Sequence, residues 1–286
     1  MEKQILIAGS LAYDTIDKVV HFGGCAGNIA YNARLLGKNF VVLGIVGKDF
    51  DDYEKWLHKN HIDTKYVVRC HDDLTARAAI TTDAEGHQVA LFSPGAAEHA
   101  HRYKNKINTT LATLATHLSF ALISPNSRDF MNAVIEGCES NGVPFFFDPG
   151  QALPFFSPEE LMKIIHAAHG LFLNEEEISQ CLELLKISLE ELRRMVPLLI
   201  VTYGEKGSRI FWRNEDGDDV IIEIPIVKTK FARDPTGCGD AYRAGFLASI
   251  QEYFPLFTTA VLKNAGCVGA TLATACVQSY GTQNHR

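Results

Sequence analysis

The segment from Asp234 to Ala241 contains the residue types best suited to chemistry. It reads Asp-Pro-Thr-Gly-Cys-Gly-Asp-Ala and leads directly into a pattern typical of a helix over 242–250. The glycines at 237 and 239 allow backbone conformations in which successive N–H groups converge on one point. Because these amides also begin a helix, at the positive end of its dipole, we expect them to bind an anion.

Asp240 lies within this predicted anion site. A carboxylate at that position can accept a proton from a hydroxyl, while the amides of Gly237, Cys238 and Gly239 stabilise the charge on a transferring phosphoryl group. The alternative interpretation is a glycine-rich turn in which the Asp merely caps the helix. The combination of free amides and a carboxylate favours phosphoryl transfer.

Short apolar runs alternate with helical patterns along the chain. The runs that predict buried strands are Ile5–Ala8, Phe40–Val46, Leu118–Ser124, Val143–Asp148, Gly170–Leu173 and Leu198–Thr202. Helices are predicted near 25–36, 103–115, 127–140, 158–168, 175–184, 189–195, 237–252 and 256–276, with capping boxes at Ser157/Glu160 and Ser188/Glu191. This alternation predicts a three-layer α/β/α fold around a mainly parallel sheet.

Two stretches interrupt this alternation and predict β-hairpins. They lie near 66–92, around a turn at 83–86, and near 208–224, around a turn at 214–217. No linker, repeat or low-complexity segment divides the chain, so we expect one domain over residues 1–286 with small β excursions at these two places.

Composition limits the classes of function. The chain has 286 residues, with 27 basic and 34 acidic side chains and a formal charge of −7, which argues against nucleic-acid binding. Its 7 cysteines are scattered and form no C-x-x-C pair, which indicates free thiols in a reducing compartment. The beginning of the chain does not resemble a signal peptide, and no run approaches the ~18–20 apolar residues of a membrane span. We expect a soluble, cytoplasmic protein that does not bind a membrane.

The element Asp-x-Thr-Gly-x-Gly-Asp at 234–240 resembles the second signature of the ribokinase-like, or PfkB, family of carbohydrate and nucleoside kinases. Further matches follow in the order of that family, at Gly9–Asp14, Gly23–Ala30, Asp148–Gly150, Asn174–Glu177 and Val201–Gly207. The resemblance covers residues 5 to about 280. It implies a ribokinase-like fold and an ATP-dependent kinase that uses Mg²⁺, with a monovalent cation as a further candidate, acting as a monomer or homodimer.

The resemblance also implies residues for binding the phosphoryl acceptor: Asp14, Gly23, Gly24 and Asn28. Asp14 follows the first strand, where a carboxylate can hold two vicinal hydroxyls of a sugar. Glycines at 23 and 24 permit close backbone approach, and the Asn28 amide can bond a ribose hydroxyl. The alternatives are a solvated loop Asp and a polar residue at a helix N-terminus.

On the nucleotide side, the resemblance implies Asn174, Thr202, Gly204, Gly207 and Thr236. It gives Glu177 the role of holding Mg²⁺ through water, although Asn174 and Glu177 would also make an ordinary helix start. Asn264 lies on the last predicted helix and could face the adenine. That assignment depends on position alone, and a solvated surface Asn is the alternative.

Relatives in this family insert strands that form a lid between the first motif and the Gly-Gly motif. Here only residues 17–22 separate Ile16 from Gly23, so we expect a lid that is reduced or missing, with the hairpin near 75–92 as a remaining cover.

The motif wording most resembles bacterial adenosine-kinase-like nucleoside kinases. Tyr13, Phe22 and Phe92 are candidates to stack on a nucleobase. The alternatives are a kinase of free ribose or a fructose-like sugar, and a regulatory protein that binds these ligands without catalysis.

Overall fold

The structure is a computed structural model, and it describes residues 3–16, 18–82, 88–214 and 216–286. The predicted turn at 83–86 and Glu215 of the second turn lie outside the described residues. Within them the strands are β1 (Gln4–Ala8), β2 (Ala12–Ile16), β3 (Val19–Gly23), β4 (Val41–Leu43), β5 (Ile45–Val46), β6 (Val68–Arg69), β7 (Ala76–Thr82), β8 (Gln88–Ser93), β9 (Leu118–Ile123), β10 (Phe145–Phe147), β11 (Gly170–Asn174), β12 (Leu198–Thr202), β13 (Ser208–Arg213) and β14 (Asp219–Ile224). The α-helices are α1 (Cys25–Leu35), α2 (Asp51–Lys59), α3 (Lys104–Leu114), α4 (Arg128–Ser140), α5 (Pro158–Ala167), α6 (Glu175–Leu185), α7 (Leu189–Met195), α8 (Cys238–Ile250) and α9 (Thr259–Val277).

An eight-stranded sheet forms the centre of the molecule, in the order β14-β13-β12-β11-β10-β9-β1-β4. Strands from β4 to β12 pair in parallel, and β12, β13 and β14 pair antiparallel. Ile5 and Ile7 of β1 belong to one buried cluster, whereas Leu6 and Ala8 belong to another. Because successive side chains of a strand point to opposite faces, the sheet is buried on both sides. The predicted three-layer α/β fold is confirmed.

Most predicted elements are present with small shifts at their ends. The capping boxes at Ser157 and Ser188 are both formed, each with the side-chain and backbone bonds that define the motif. The predicted strand Phe40–Val46 is interrupted at Gly44, where a Cβ atom would lie 2.8 Å from the Gly9 carbonyl oxygen. Beyond this close approach β5 leaves the central sheet and pairs with β6. Helix α2 was not predicted, although it starts with three acidic residues in its first turn.

A second sheet has four short strands in the order β3-β2-β7-β8. The predicted hairpin of β7 and β8 is confirmed, while β2 and β3 form a hairpin that was not predicted. The sequence analysis expected residues 17–22 to be too short for a full lid, so that the lid is reduced or missing. Within the described residues, β2 and β3 pair antiparallel with Ile16 opposite Val19, and Lys18 has a φ of 68°. The lid is therefore reduced rather than missing.

The same hairpin corrects the predicted position of Asp14. The sequence analysis placed this residue at the end of the first strand, with a loop position as the alternative, but it lies inside β2 and pairs with His21 of β3 and Ala78 of β7. The first strand ends at Ala8 and a new strand begins at Ala12, so the loop has only three residues. Asp14 is therefore carried by the small sheet.

Helix α9 has 19 residues and a mean hydropathy of 1.4, so by length and composition it could cross a membrane. The sequence analysis expected no such segment. Leu262, Ala265, Gly266, Gly269, Leu272 and Cys276 of this helix are buried. A Cβ atom at Gly245 of α8 would lie 2.9 Å from the backbone of Gly269, so the two helices pack in close contact. One third of the apolar window of α9 is buried inside the protein, on the side that packs against α8.

Candidate active site

The loop at 234–239 presents free amide groups at the start of α8. Gly237 has a φ of 80°, in the left-handed region that favours glycine, and it is the N-cap residue of the helix. Within the described residues, the amides of Gly237, Gly239 and Asp240 have no hydrogen-bond acceptor. The Cys238 amide, which was expected among them, instead donates to the Pro235 carbonyl at 3.2 Å, because the chain makes a tight turn there. These free amides provide the hydrogen-bond donors that the anion site predicted at this helix start requires.

Asp234 holds this loop in place. Its carboxylate accepts from the Thr236 amide at 2.9 Å and from the Gly281 amide at 3.0 Å, and its side chain is buried. Thr282, the next residue, lies so close that its methyl carbon would be 2.7 Å from a Cβ atom at Gly237. The 281–285 segment therefore packs against this loop and stabilises it.

Asp240 is buried at the beginning of α8, as the prediction of a site carboxylate requires. Its Oδ2 accepts a hydrogen bond from the Asn28 Nδ2 group at 2.8 Å. Burial raises the pKa of Asp240 above its ordinary value, while the Arg243 guanidinium and hydrogen bonds from Asn28 and Cys25 act to lower it. The carboxyl group is therefore a stronger base, once ionised, than an exposed aspartate.

Arg243 and Asp148 form a buried ion pair beside Asp240. The Arg243 Nη2 group donates to Asp148 Oδ1 at 2.7 Å, and Nε lies 2.5 Å from Oδ2. Burial lowers the pKa of Arg243, but the carboxylates of Asp148 and Asp240 raise it by more, so the guanidinium stays charged. Its Nη1 atom lies 3.9 Å from Asp240 Oδ1. The pair joins residues 95 positions apart, so no local sequence pattern signals it.

Asp14 lies against the start of α1. A Cβ atom at Gly23 would lie 1.8 Å from Asp14 Oδ2, so only glycine leaves room for this carboxylate. Burial raises the pKa of Asp14 to about 7, with a further increase from the charge of Asp240, while the Gly24 amide donates to the carboxylate and lowers it. Gly24 has a φ of 83°. These residues lie together, as the sequence predicted.

Asn28 does not face an open pocket. Its Oδ1 accepts from the Thr282 hydroxyl at 2.7 Å and from Gln283 Nε2 at 3.0 Å, and its Nδ2 donates to Asp240. The predicted ribose ligand is therefore mainly held by protein groups. Two of these partners, Thr282 and Gln283, belong to the 281–285 segment and lie 254 and 255 positions from Asn28 in the sequence.

A cleft of about 750 Å³ opens beside the free amides. Its walls come from the end of β12, the turn before β13, the 226–235 stretch, the start of α8 and the second half of α9. The lining residues include Thr202, Gly204, Gly207, Pro235, Cys238, Gly239, Ala270, Ala273, Thr274 and Val277. The predicted nucleotide residues of β12 and its turn therefore lie at this cleft.

Asn264 does not lie there. It is exposed, and the contribution of α9 to the cleft begins at Ala270, one and a half turns further along the helix. The structure therefore does not bring Asn264 to this cleft, and the prediction that it faces the nucleotide, which depended on position alone, has no support from its exposed place on the helix.

Asn174 and Glu177 form a capping box at the start of α6. The Asn174 side chain accepts from the amides of Glu176 and Glu177, and Glu177 Oε2 accepts from the Asn174 amide at 2.8 Å. Glu177 Oε1 has no hydrogen-bond partner within the described residues. The negative charge of Glu177 acts on both Asp240 and Arg243, so this carboxylate faces the same site.

The three candidate stacking residues differ in their availability. Tyr13 is buried, and its hydroxyl donates to the Asp49 carbonyl. The Phe22 ring stacks on Tyr53, with a distance of 4.7 Å between ring centroids. Phe92 is half-buried on β8, and it is the candidate whose ring is not packed between other aromatic rings in the described part of the chain. Tyr13 and Phe22 therefore pack against other rings of the protein, and stacking of a base on any of the three residues stays a prediction.

The free amides at the start of α8 lie between the cleft and the buried carboxylates of Asp14 and Asp240. On an open α/β sheet, this arrangement is typical of a phosphotransferase of the ribokinase-like class. The chain belongs to the pfkB family of carbohydrate kinases, whose pattern it matches over residues 4–286. It is therefore a kinase, and ATP is the phosphoryl donor that this family implies.

Similar proteins include nucleoside kinases. The chain is 32% identical over 271 residues to the nucleoside kinase of Methanocaldococcus jannaschii, covering 93% of this chain and 82% of that protein. The structure of Burkholderia thailandensis nucleoside kinase in complex with inosine superimposes with a TM-score of 0.84 and 31% identity, covering 98% of this chain and 93% of that one. The crystal structure of the M. jannaschii enzyme gives a TM-score of 0.83 at 30% identity, covering 100% and 94%.

Proposed function

We propose that this protein transfers the γ-phosphoryl group of ATP to the primary 5′-hydroxyl of a ribonucleoside such as adenosine. The observation that supports this most directly is the position of Asp240. It lies next to the free amides of Gly237 and Gly239, between the cleft on one side and Asp14 on the other. The similar proteins named as nucleoside kinases support the nucleoside as the acceptor class.

In this proposal the chain positions two reactants and moves one proton. The triphosphate lies in the cleft with its γ-phosphoryl group against the free amides, which stabilise the charge that develops during transfer. Asp240 accepts the proton of the 5′-hydroxyl as its oxygen attacks phosphorus and the bond to ADP breaks. The charged Arg243 guanidinium, held by Asp148, adds positive potential at the same place.

Glu177 fits the role of a magnesium-organising residue. Mg²⁺ prefers few carboxylates and keeps several waters, and Glu177 offers one carboxylate oxygen without a partner in the described residues. When bound with ATP, the cation supplies neutralisation of the phosphate charge. Glu177 would hold it through water, and its capping bond to Asn174 keeps the carboxylate oriented toward the site.

The small sheet supports a nucleoside over a free sugar. Asp14, Ala78 and Phe92 lie in one row across β2, β7 and β8, on the same face of that sheet. With strands roughly 4.8 Å apart, the row spans roughly 10 Å from carboxylate to aromatic ring. Asp14 would hold the two ribose hydroxyls, the small Ala78 leaves space, and Phe92 would stack on the base. A free sugar would leave Phe92 without a partner.

The substrates and the free thiols support a cytoplasmic location for the enzyme. ATP and nucleosides are substrates of the cytoplasm, and every cysteine in the chain is a free thiol. We therefore place the enzyme in the cytoplasm, as a single catalytic domain over residues 1–286.

The test is product formation with Mg-ATP and a panel of adenosine, inosine, guanosine, cytidine, ribose and fructose. Nucleoside monophosphates should form, and Asp240→Asn should lower kcat by a factor of about 10² to 10⁴, the usual contribution of a general base. Turnover of free sugars alone would overturn the proposed substrate class. Full activity in Asp240→Asn would overturn the role of this carboxylate.

A further inference from the structure

The orientation of the Asn28 amide decides what Asp240 can do. In the structure Asn28 Oδ1 accepts from Gln283 Nε2 at 3.0 Å and also lies 2.7 Å from the Thr282 hydroxyl. The single Thr282 proton is shared between this oxygen and the Phe22 carbonyl at 3.1 Å, so Gln283 sets the direction, and Asn28 Nδ2 donates to Asp240 at 2.8 Å. If the amide were turned over, its oxygen would lie against the Asp240 carboxylate and two acceptors would face each other. Asp240 would then take up a proton to bond that oxygen, and it could no longer accept one from a substrate.

Trp56 determines the orientation of the Gln283 side-chain amide. An indole N–H can only donate, and Trp56 Nε1 donates to Gln283 Oε1 at 3.0 Å. The Nε2 group of Gln283 therefore points to the other side, where it donates to Asn28 Oδ1 and to the Tyr53 hydroxyl at 2.6 Å. Tyr53 in turn donates its own proton to the Gly23 carbonyl at 2.7 Å. Every group in this set has one consistent direction.

We propose that Trp56 is a positioning residue for phosphoryl transfer, acting on Asp240 through Gln283 and Asn28. The indole N–H of Trp56 can only donate, so it fixes the orientation of the Gln283 amide. The Gln283 amide fixes the orientation of the Asn28 amide, which then presents an N–H group to Asp240. The three side chains come from α2, the 281–285 segment and α1, and Asp240 lies on α8. The inference rests on the proposed role of Asp240 as the base.

Other charged groups also face Asp240. Arg243 comes from its own helix and Cys25 from α1, while the negative groups are Asp14 of β2, Asp148 after β10 and Glu177 of α6. None of these groups is hydrogen-bonded to Trp56 or Gln283. Tyr53 of α2 also faces Asp240, and its hydroxyl accepts a bond from Gln283. Trp56→Phe therefore leaves these groups in place and adds no charge, so a resulting change in Asp240 reports the amide orientation. Gln283→Glu also adds a carboxylate, whose negative charge by itself raises the pKa of Asp240.

The test compares Trp56→Phe and Gln283→Glu with Trp212→Phe as a matched control. Trp56→Phe keeps an aromatic ring against Phe22 but removes the donor, and we expect kcat to fall about threefold to tenfold, the value of one hydrogen bond. Gln283→Glu can still accept from Trp56, but its other oxygen turns Asn28 over, and kcat should fall about 100-fold. The KM for ATP should stay unchanged in both, and Trp212→Phe, on β13, should match the original enzyme.

A second readout does not depend on activity. In a ¹³C NMR titration of aspartate carboxyl groups, with the Asp240 signal identified by its loss in Asp240→Asn, the pKa of Asp240 should rise in Trp56→Phe and rise further in Gln283→Glu. Circular dichroism checks that the variants are folded. An unchanged Asp240 titration in folded Trp56→Phe would overturn the inference, because this variant removes the Trp56 donor without adding a charge. If no nucleoside is phosphorylated, the proposed function fails, and the titration still decides the orientation of the amides.

Discussion

Gly23→Ala should weaken nucleoside binding while leaving the nucleotide cleft intact. A Cβ atom at position 23 would lie 1.8 Å from Asp14 Oδ2, a separation that real Cβ atoms do not show. The backbone cannot move away easily, because Gly23 pairs with Ala12 across the small sheet and its carbonyl accepts from the Tyr53 hydroxyl. The Asp14 carboxylate must therefore be displaced.

The size of the effect follows from the hydrogen bonds that Asp14 would make. Each bond from a ribose hydroxyl to a carboxylate contributes about 1.5–3 kcal/mol. Since every 1.4 kcal/mol corresponds to a factor of about ten, loss of one bond should raise the nucleoside KM by about 10-fold to 100-fold, and loss of both should raise it further. The kcat at saturation should change far less, because Asp240 and the free amides are untouched.

The assay measures initial rates with adenosine varied at saturating Mg-ATP, and then with ATP varied at saturating adenosine. Gly142→Ala is the control, because Gly142 has a φ of 63° but open space around its Cβ position. Adding Gly23→Ala to Asp14→Asn should cause little further loss, since both changes remove the same contact. An adenosine KM within twofold of the original enzyme, or a loss confined to kcat, would refute the placement of Asp14 at the ribose.

Three more predictions test other parts of the site. Arg243→Met leaves the fully buried Asp148 without a partner and should lower the free energy of unfolding by about 3–5 kcal/mol at pH 8. Burial raises the folded-state pKa of Asp148, so the free energy of unfolding of Arg243→Met should fall as pH rises from 5 to 8. The double variant Arg243→Met/Asp148→Asn should recover most of the lost free energy, as measured by urea unfolding. An equal loss at pH 5 and pH 8 would contradict this prediction. Phe92→Ala should lower kcat/KM for nucleosides about tenfold through lost stacking, whereas Leu91→Ala, exposed on the opposite face of β8, should not. Asn264→Ala should leave the KM for ATP within twofold, and a larger rise would contradict its exposed position.

Local patterns predicted much of the fold. The alternation of apolar runs and helical patterns identified the central strands, and Ser157 and Ser188 are helix caps because a hydroxyl and a glutamate three residues later bond each other's backbone. The glycines around Asp240 predicted free amides at a helix start for the same reason, since the geometry is set within a few residues. Predictions of this kind need no knowledge of distant contacts.

Contacts between distant residues could not be predicted in this way. The pairing of Arg243 with Asp148 and of Asn28 with Thr282 depends on how the sheet brings the ends of its strands together. Glu177 shows a different limit of sequence-based prediction. The same pattern of Asn174 and Glu177 is expected for a helix cap and for residues that hold Mg²⁺, so the pattern alone does not distinguish the two roles. The hairpin before Gly23 was missed since its residues were interpreted as motif and loop, although alternating side chains there form strands β2 and β3.

The buried 281–285 segment makes the order of synthesis matter for this enzyme. On the ribosome, Asp14, Asn28 and Asp240 all emerge before Thr282 and Gln283, so the central sheet can form while the amide of Asn28 still has no partners. Until these last partners arrive, Asp234 also lacks the Gly281 amide that steadies the phosphate loop. A nascent chain would therefore have formed its central sheet before its active site is complete, and phosphoryl transfer would report that Thr282 and Gln283 have emerged from the ribosome and packed against Asn28.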